Sequence, residues 1–325
     1  MRTLLTFLAT ALTAAVLHAA PTQPLLAIVT QDQVSLRASP RDGATQHALL
    51  TQGDTLEIRG ERADYLQVYD HRRERTGFVR ATQIRRTTLA SDEASPLLAV
   101  MRFVKDTPGS ESLGIAYTAA YLKAASPNAI DAEPFDILGT LADRLALRAS
   151  NASKAQESML NAQVEAVSAY GVRMKSIERN GHIRLCYDGE AYRRVLAIST
   201  DSAMRARAAL SLTTNDCIDP ALLPADRRRL DAWRLEIIES VKSSGLPAYM
   251  QNRVELRRAG IWATATFQRA RQAADSSPTV EAAQRALDAF AKVNKAELTD
   301  ADLSAYADAA IRVNAVRPAL DTISA

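Results

Sequence analysis

Between Leu25 and Arg86 the apolar residues alternate with polar ones in short runs. The runs are Leu26–Val29, Val34–Arg37, Thr55–Arg59, Tyr65–Tyr69 and Thr76–Arg80. Successive side chains of a strand point to opposite faces, so alternation with period two predicts half-buried strands. Leu56 and Ile58 are inward candidates, and Leu66 with Val68 offers a competing register. Turn signals separate the runs at Ser39-Pro40, Asp42-Gly43, Gly53-Asp54, Arg59-Gly60 and Gly77. Five or six such strands in about 60 residues predict a small β-barrel, because closure removes exposed edges.

From Ser91 onward the period changes to that of helices. Helices are predicted near Glu93–Val104, Ser112–Ala124, Phe135–Leu147, Ala152–Ile177, Glu190–Ile198 and Ser202–Leu212. Four more follow near Ala225–Val241, Ala248–Ala273, Thr279–Val293 and Ala301–Val313. Ser150 or Asn151 is a candidate cap for the long fourth helix, Ser277-Pro278 starts another, and Thr299 or Asp300 caps the last. The one exception is Gly181–Cys186, which reads as a short extended piece. Trp233, Tyr249, Trp262 and Phe267 fall in strongly apolar helices and are expected in the core. Antiparallel helices with short links predict hairpins stacked as a solenoid or an irregular bundle. The expected fold class is therefore multidomain α and β. A barrel at residues 25–86 is followed by a linker at 87–95, an all-helical domain at 96–318 and a tail at 319–325.

The first twenty residues carry a different signal. Arg2 precedes an apolar stretch from Leu4 to Val16, and small residues follow at Ala19 and Ala20. Basic start, short apolar core and small-residue exit predict a secretory signal peptide over residues 1–20. The apolar run is shorter than the roughly 20 residues of a spanning helix. No Cys follows it for lipid attachment, so a periplasmic or secreted chain without an integral membrane segment is expected after cleavage. Only Cys186 and Cys217 are present, and an even pair in an oxidising compartment predicts a disulfide. Cys186 precedes the helix Glu190–Ile198 and Cys217 follows Ser202–Leu212, so the bond would clamp that hairpin shut. Two separate buried thiols are the alternative.

The barrel residues also carry a resemblance. Val34-Ser-Leu-Arg-Ala-Ser-Pro40, Gly53-Asp-Thr-Leu-Glu-Ile58, Asp64-Tyr-Leu-Gln-Val-Tyr69 and Thr76-Gly-Phe-Val79 occur in order. This set resembles the bacterial SH3-like (SH3b) domain, with Tyr65 where that family often has Trp. The resemblance implies an interaction module of envelope proteins that binds peptidoglycan or a protein partner, without catalysis. Glu190–Thr213 is similar to a tetratricopeptide-like hairpin, though without a 34-residue period.

Composition adds little to this. The chain is 47% hydrophobic with a formal net charge of +3, which suits ordinary folded cores and gives no reason to expect a nucleic-acid partner. Arginine greatly outnumbers lysine, which carries no weight by itself. No G-x-S-x-G or H-E-x-x-H motif is present. Gly109–Gly114 has the glycines of a phosphate loop, but Ile115 and Ala116 replace its Lys and Ser/Thr. Asp70-His71 sits beside an Arg72–Arg75 cluster that reads as a solvated hairpin tip. No catalytic residue, metal or cofactor is expected. The binding candidates are Tyr65 and Tyr69, either groove or packing, together with Phe78, Arg72 and Arg73, which could meet carboxylates of wall peptides. The function expected is a non-catalytic envelope binding and scaffold protein. A helical cell-wall hydrolase and an accessory subunit of an envelope assembly complex are the alternatives; Glu157-Ser158 and Glu239-Ser240 lack the surroundings a lytic site would have.

Overall fold

The structure is a computed structural model that describes residues 25–179, 181–271 and 277–321; the expected signal peptide lies outside the described residues. An antiparallel sheet at the N-terminus precedes a largely helical remainder. Among the described residues the sheet holds seven strands: β1 (Leu26–Val29), β2 (Val34–Arg37), β3 (Gln46–Leu50), β4 (Thr55–Arg62), β5 (Tyr65–Asp70), β6 (Arg75–Arg80) and β7 (Ile84–Thr87). Their order is β3-β2-β6-β5-β4-β1-β7. Alternation places Val34 and Leu36, Leu66 and Val68, and Val79 in one apolar core with Ala27, Val29, Leu50 and Leu56. Leu66 and Val68 are the inward pair of β5, and Ile58 packs on the core's margin. The sequence pattern misses β3 and β7, the two edges of the sheet. An edge strand is held on one side only, and β3 buries just Leu50 while β7 buries just Thr87, so neither shows a clear alternation.

β1 joins the two regions. Ala27 and Val29 point into the sheet core, whereas Ile28, on the opposite face, enters the first helical core. That core is built on α1 (Ala94–Lys105), α2 (Glu111–Ala124), α3 (Glu133–Ser150) and α4 (Glu157–Ser168). The seam is polar around this apolar plug. Gln163 donates to Asp32 at 2.8 Å, and Gln52 donates to Asp32 at 3.1 Å and to the Gly109 carbonyl at 2.7 Å. The Tyr170 hydroxyl donates to the Gly53 carbonyl and lies 2.5 Å from Thr55 Oγ1; burial pushes its pKa up to about 12. Gly53 adopts φ +88°, and a Cβ there would sit 2.7 Å from the Ser112 carbonyl oxygen. Only glycine fits a backbone that is both left-handed and this close to another chain segment.

The expected helix Ala152–Ile177 is two elements. α4 ends near Ala169, Gly171 turns the chain at φ +79°, and Met174–Arg179 forms β8. β8 pairs antiparallel with β9 (His182–Tyr187), which is the extended piece read from the sequence. Ser150 does not cap a new helix; it ends α3 and donates to the Ala146 carbonyl, while accepting from the Leu185 amide.

The remaining helices are α5 (Glu190–Ile198), α6 (Ser202–Leu212), α7 (Pro224–Glu239), α8 (Ala248–Ala270), α9 (Ser277–Ala291), α10 (Asp300–Val316) and α11 (Pro318–Asp321). They form successive apolar cores. One joins α6, α7 and the first half of α8; the next joins the second half of α8 to α9 and α10. Trp262 is buried there as expected, and its indole N–H donates to Glu239 at 3.0 Å. Tyr249 and Phe267, by contrast, are exposed, and Trp233 is half-buried. α8 buries different faces along its length, so an apolar residue on it does not always face a neighbour. No helix among the described residues is long and apolar enough to cross a membrane.

Candidate functional site

Three of the residues singled out in the sequence share the outer face of the sheet. Leu66 and Val68 point inward, which turns Tyr65, Gln67 and Tyr69 outward. Across the ladder Tyr65 pairs with Arg80 and Gln67 with Phe78, and Phe78 pairs in turn with Arg37. The three rings differ in availability. Tyr65 is buried: its hydroxyl donates to Asp42 at 2.5 Å, and the Arg80 guanidinium lies 5.2 Å from its ring centre. Asp42 raises the Tyr65 pKa through that hydrogen bond, while Arg80 and Tyr65 hold the Asp42 carboxyl below its ordinary value. Tyr69 is half-buried, with Arg59 4.0 Å over one face and His71 edge-on at 4.8 Å. Phe78 is half-buried between Gly77 and Val79, which face the core.

Arg72 and Arg73 lie elsewhere and are not a solvated tip. Arg72 donates to Asp54 at 2.8 Å and reaches Glu165 of α4 at 3.4 Å. Arg73 bridges Asp54 at 3.1 Å and Asp70 at 2.7 Å. Asp54 and Asp70 are buried, and a buried carboxylate needs such partners. The two arginines therefore tie the β5–β6 turn to the sheet and to the helices. Asp70 and His71 have separate partners, since His71 hydrogen-bonds Glu57 at 2.7 Å. They do not form a dyad.

The helical region contains the feature that sequence reasoning missed. A cavity of about 840 Å³ opens between α3, the β8–β9 hairpin, α6, α8 and α10. Its size falls within the range of small-molecule sites. Seven of its lining residues are arginines and four are aspartates. Four of the arginines are neutralised: Arg144 by Glu111, Arg184 by Asp216, Arg207 by Asp136 and Arg253 by Asp302. Asp143 is half-buried against the hydroxyls of Tyr192 and Ser211, and desolvation raises its pKa. One wall carries the Cys186–Cys217 disulfide, with the two Cα atoms 5.7 Å apart. The bond closes the α5–α6 hairpin as its flanking position predicts. The arginines come from six separate elements, so no local motif marks them; the excess of arginine over lysine was their one trace in the sequence.

Among the described residues no group of three or more His, Cys, Asp or Glu side chains is placed to hold a metal ion. Comparison with protein-family models, with curated proteins and with solved structures finds no match to this chain.

Proposed function

We propose that this chain is a non-catalytic binding and scaffold protein of a bacterial cell envelope, working in the periplasm. In this reading the N-terminal sheet is an SH3-like barrel that binds peptidoglycan or an envelope protein, and the helical region receives a protein partner. The observation that carries the binding role is the outer sheet face, where Tyr69 and Phe78 present half-buried rings, Phe78 paired with Arg37 and Tyr69 beneath Arg59. Flat rings suit sugars and peptide backbones, and Arg37, whose one hydrogen bond among the described residues is to the Ala44 carbonyl, has guanidinium donors left for a wall-peptide carboxylate. The disulfide supports an oxidising compartment.

The test is cosedimentation of the full mature chain with purified peptidoglycan. Wild type should pellet, and Tyr69→Ala combined with Phe78→Ala should leave most of the protein in the supernatant. A wild-type chain that stays in solution would remove the wall as its ligand. Clearing of wall substrate in a zymogram would overturn the non-catalytic assignment.

A further inference from the structure

The cavity in the helical region has a charge imbalance that its own carboxylates do not correct. Once the four paired arginines are set aside, Arg179, Arg257 and Arg312 remain, and none has a carboxylate partner among the described residues. Arg179 donates to the carbonyls of Asn215 and Ile218. Arg257 uses Nη1 alone, to the Leu210 carbonyl at 3.0 Å and Thr213 Oγ1 at 3.4 Å, which caps the C-terminal end of α6. A guanidinium has five N–H donors. The Nε and Nη2 groups of Arg257 make no hydrogen bond among the described residues. Arg312, half-buried on α10, makes no hydrogen bond or ion pair among them. The exposed Asp308 lies one turn before it on the same helix and does not pair with it.

Arg257 and Arg312 also feel each other's charge. Arg257 is pulled down to about 10, first by burial and then by the charge of Arg234, with Arg312 adding to it and Asp216 opposing it. Arg234 cannot relieve it, because its guanidinium is committed to Asp231, the Thr213 carbonyl and Asn215. Like charges gathered in a partly desolvated recess are unfavourable unless an anion joins them. The planar fork of arginine matches carboxylate and phosphate oxygens two at a time.

We propose that this cavity is a binding site for a small ligand carrying two or more oxyanion groups, carboxylate or phosphate, with Arg257 and Arg312 as its principal contacts. The site is independent of the sheet face. Arg179 and the disulfide also belong to the lining. Asp308 stands at the cavity as an opposing charge that weakens the field felt by the ligand.

Isothermal titration calorimetry and thermal-shift measurements on the mature chain, at fixed physiological ionic strength, test this with citrate and with inorganic pyrophosphate as probes. At least one probe should bind in the micromolar to millimolar range and raise the melting temperature. Binding of citrate alone identifies a carboxylate ligand, pyrophosphate alone a phosphate ligand, and both the shared chemistry. Arg312→Gln should weaken binding about 10-fold or more, since a charge-assisted fork is lost. Arg312→Lys, which keeps the charge without the fork, should fall between, and Asp308→Asn should bind a few-fold more tightly. Arg229→Gln, on an exposed part of α7, serves as the control and should leave affinity unchanged. No heat and no melting shift with either probe, or equal affinity in wild type and both Arg312 variants, would overturn the proposal.

Discussion

In the N-terminal sheet the guanidinium groups of Arg72, Arg73 and Arg80 bend back onto Asp54, Asp70 and Asp42. In the helical region Arg179, Arg257 and Arg312 face an open cavity and meet only carbonyls, a hydroxyl or nothing among the described residues. The same side chain therefore does two kinds of work. Where a carboxylate lies within reach, arginine holds loops in place and its charge is spent locally. Where none does, the charge stays available to a ligand. A count of charges along the chain cannot separate these cases, because partners such as Asp54 for Arg72 and Asp42 for Arg80 come from distant segments.

The largest effect that can divide the two regions comes from the disulfide. Cys186→Ser combined with Cys217→Ser opens a loop of 31 residues. The chain-entropy model puts the loss at about 3.5 kcal/mol. Trp233 and Trp262 are the only tryptophans and both belong to the helical region, so tryptophan fluorescence during urea unfolding reads that region alone. Its midpoint should drop sharply, and amides of the sheet, followed by hydrogen exchange, should keep more of their protection. Because both cysteines line the cavity, probe binding should weaken as well. Equal loss of protection in sheet and helices would show that the two regions unfold as one unit.

Gly53→Ala attacks the seam itself. A Cβ on Gly53 meets the Ser112 backbone carbonyl at 2.7 Å, and the left-handed φ adds strain. The loss should exceed about 1 kcal/mol, the level at which such substitutions start to destabilise. Ser112 is part of α2 backbone and cannot swing aside like a side chain. The expected outcome is a split in unfolding, with the sheet and helical transitions separating in calorimetry. A single transition at an unchanged temperature would mean that the Ile28 plug alone couples the regions.

Much of this architecture was legible because it is local. The inward pair Leu66 and Val68, the limits of α5 and α6, and the cysteines flanking that hairpin all follow from spacing along the chain. The break after α4 was not. Apolar residues such as Val164, Val167, Val172 and Met174 keep a helix-like spacing through Gly171, and the chain turns there because β8 finds a partner in β9. Tyr65 and Tyr69 could be named as candidates from composition and position. That Tyr65 is locked to Asp42 depended on a loop more than twenty residues away. The cavity was illegible for the same reason: its arginines converge only once α3, β8, β9, α6, α8 and α10 have packed.

The smallest prediction compares two carboxylates that both bind arginine. In the helical region burial pushes Asp302 up, but Arg253 and Thr299 donate to it and hold it below its ordinary value of 3.8. In the sheet burial outweighs Arg72, Arg73 and the Thr51 amide, and Asp54 ends above 3.8. The two signs oppose. Folding favours the charged form of Asp302, so its contribution is present above the unfolded value and is lost as pH falls through the lowered one. Folding favours the protonated form of Asp54, so that linkage contribution is present below the unfolded value and is lost as pH rises through the raised one. Arg253 is well exposed, which limits the Asp302 contribution to about 0.5–1 kcal/mol at neutral pH. In urea titrations run from pH 7 down to pH 3, the stability gap between wild type and Asp302→Asn should narrow. For Asp54→Asn the pH-dependent part of the gap should move the other way, toward the wild type on acidification. Parallel pH trends for the two variants would mean that the arginines of the sheet neutralise Asp54 as fully as Arg253 neutralises Asp302, and the contrast drawn between the regions would then rest on the cavity alone.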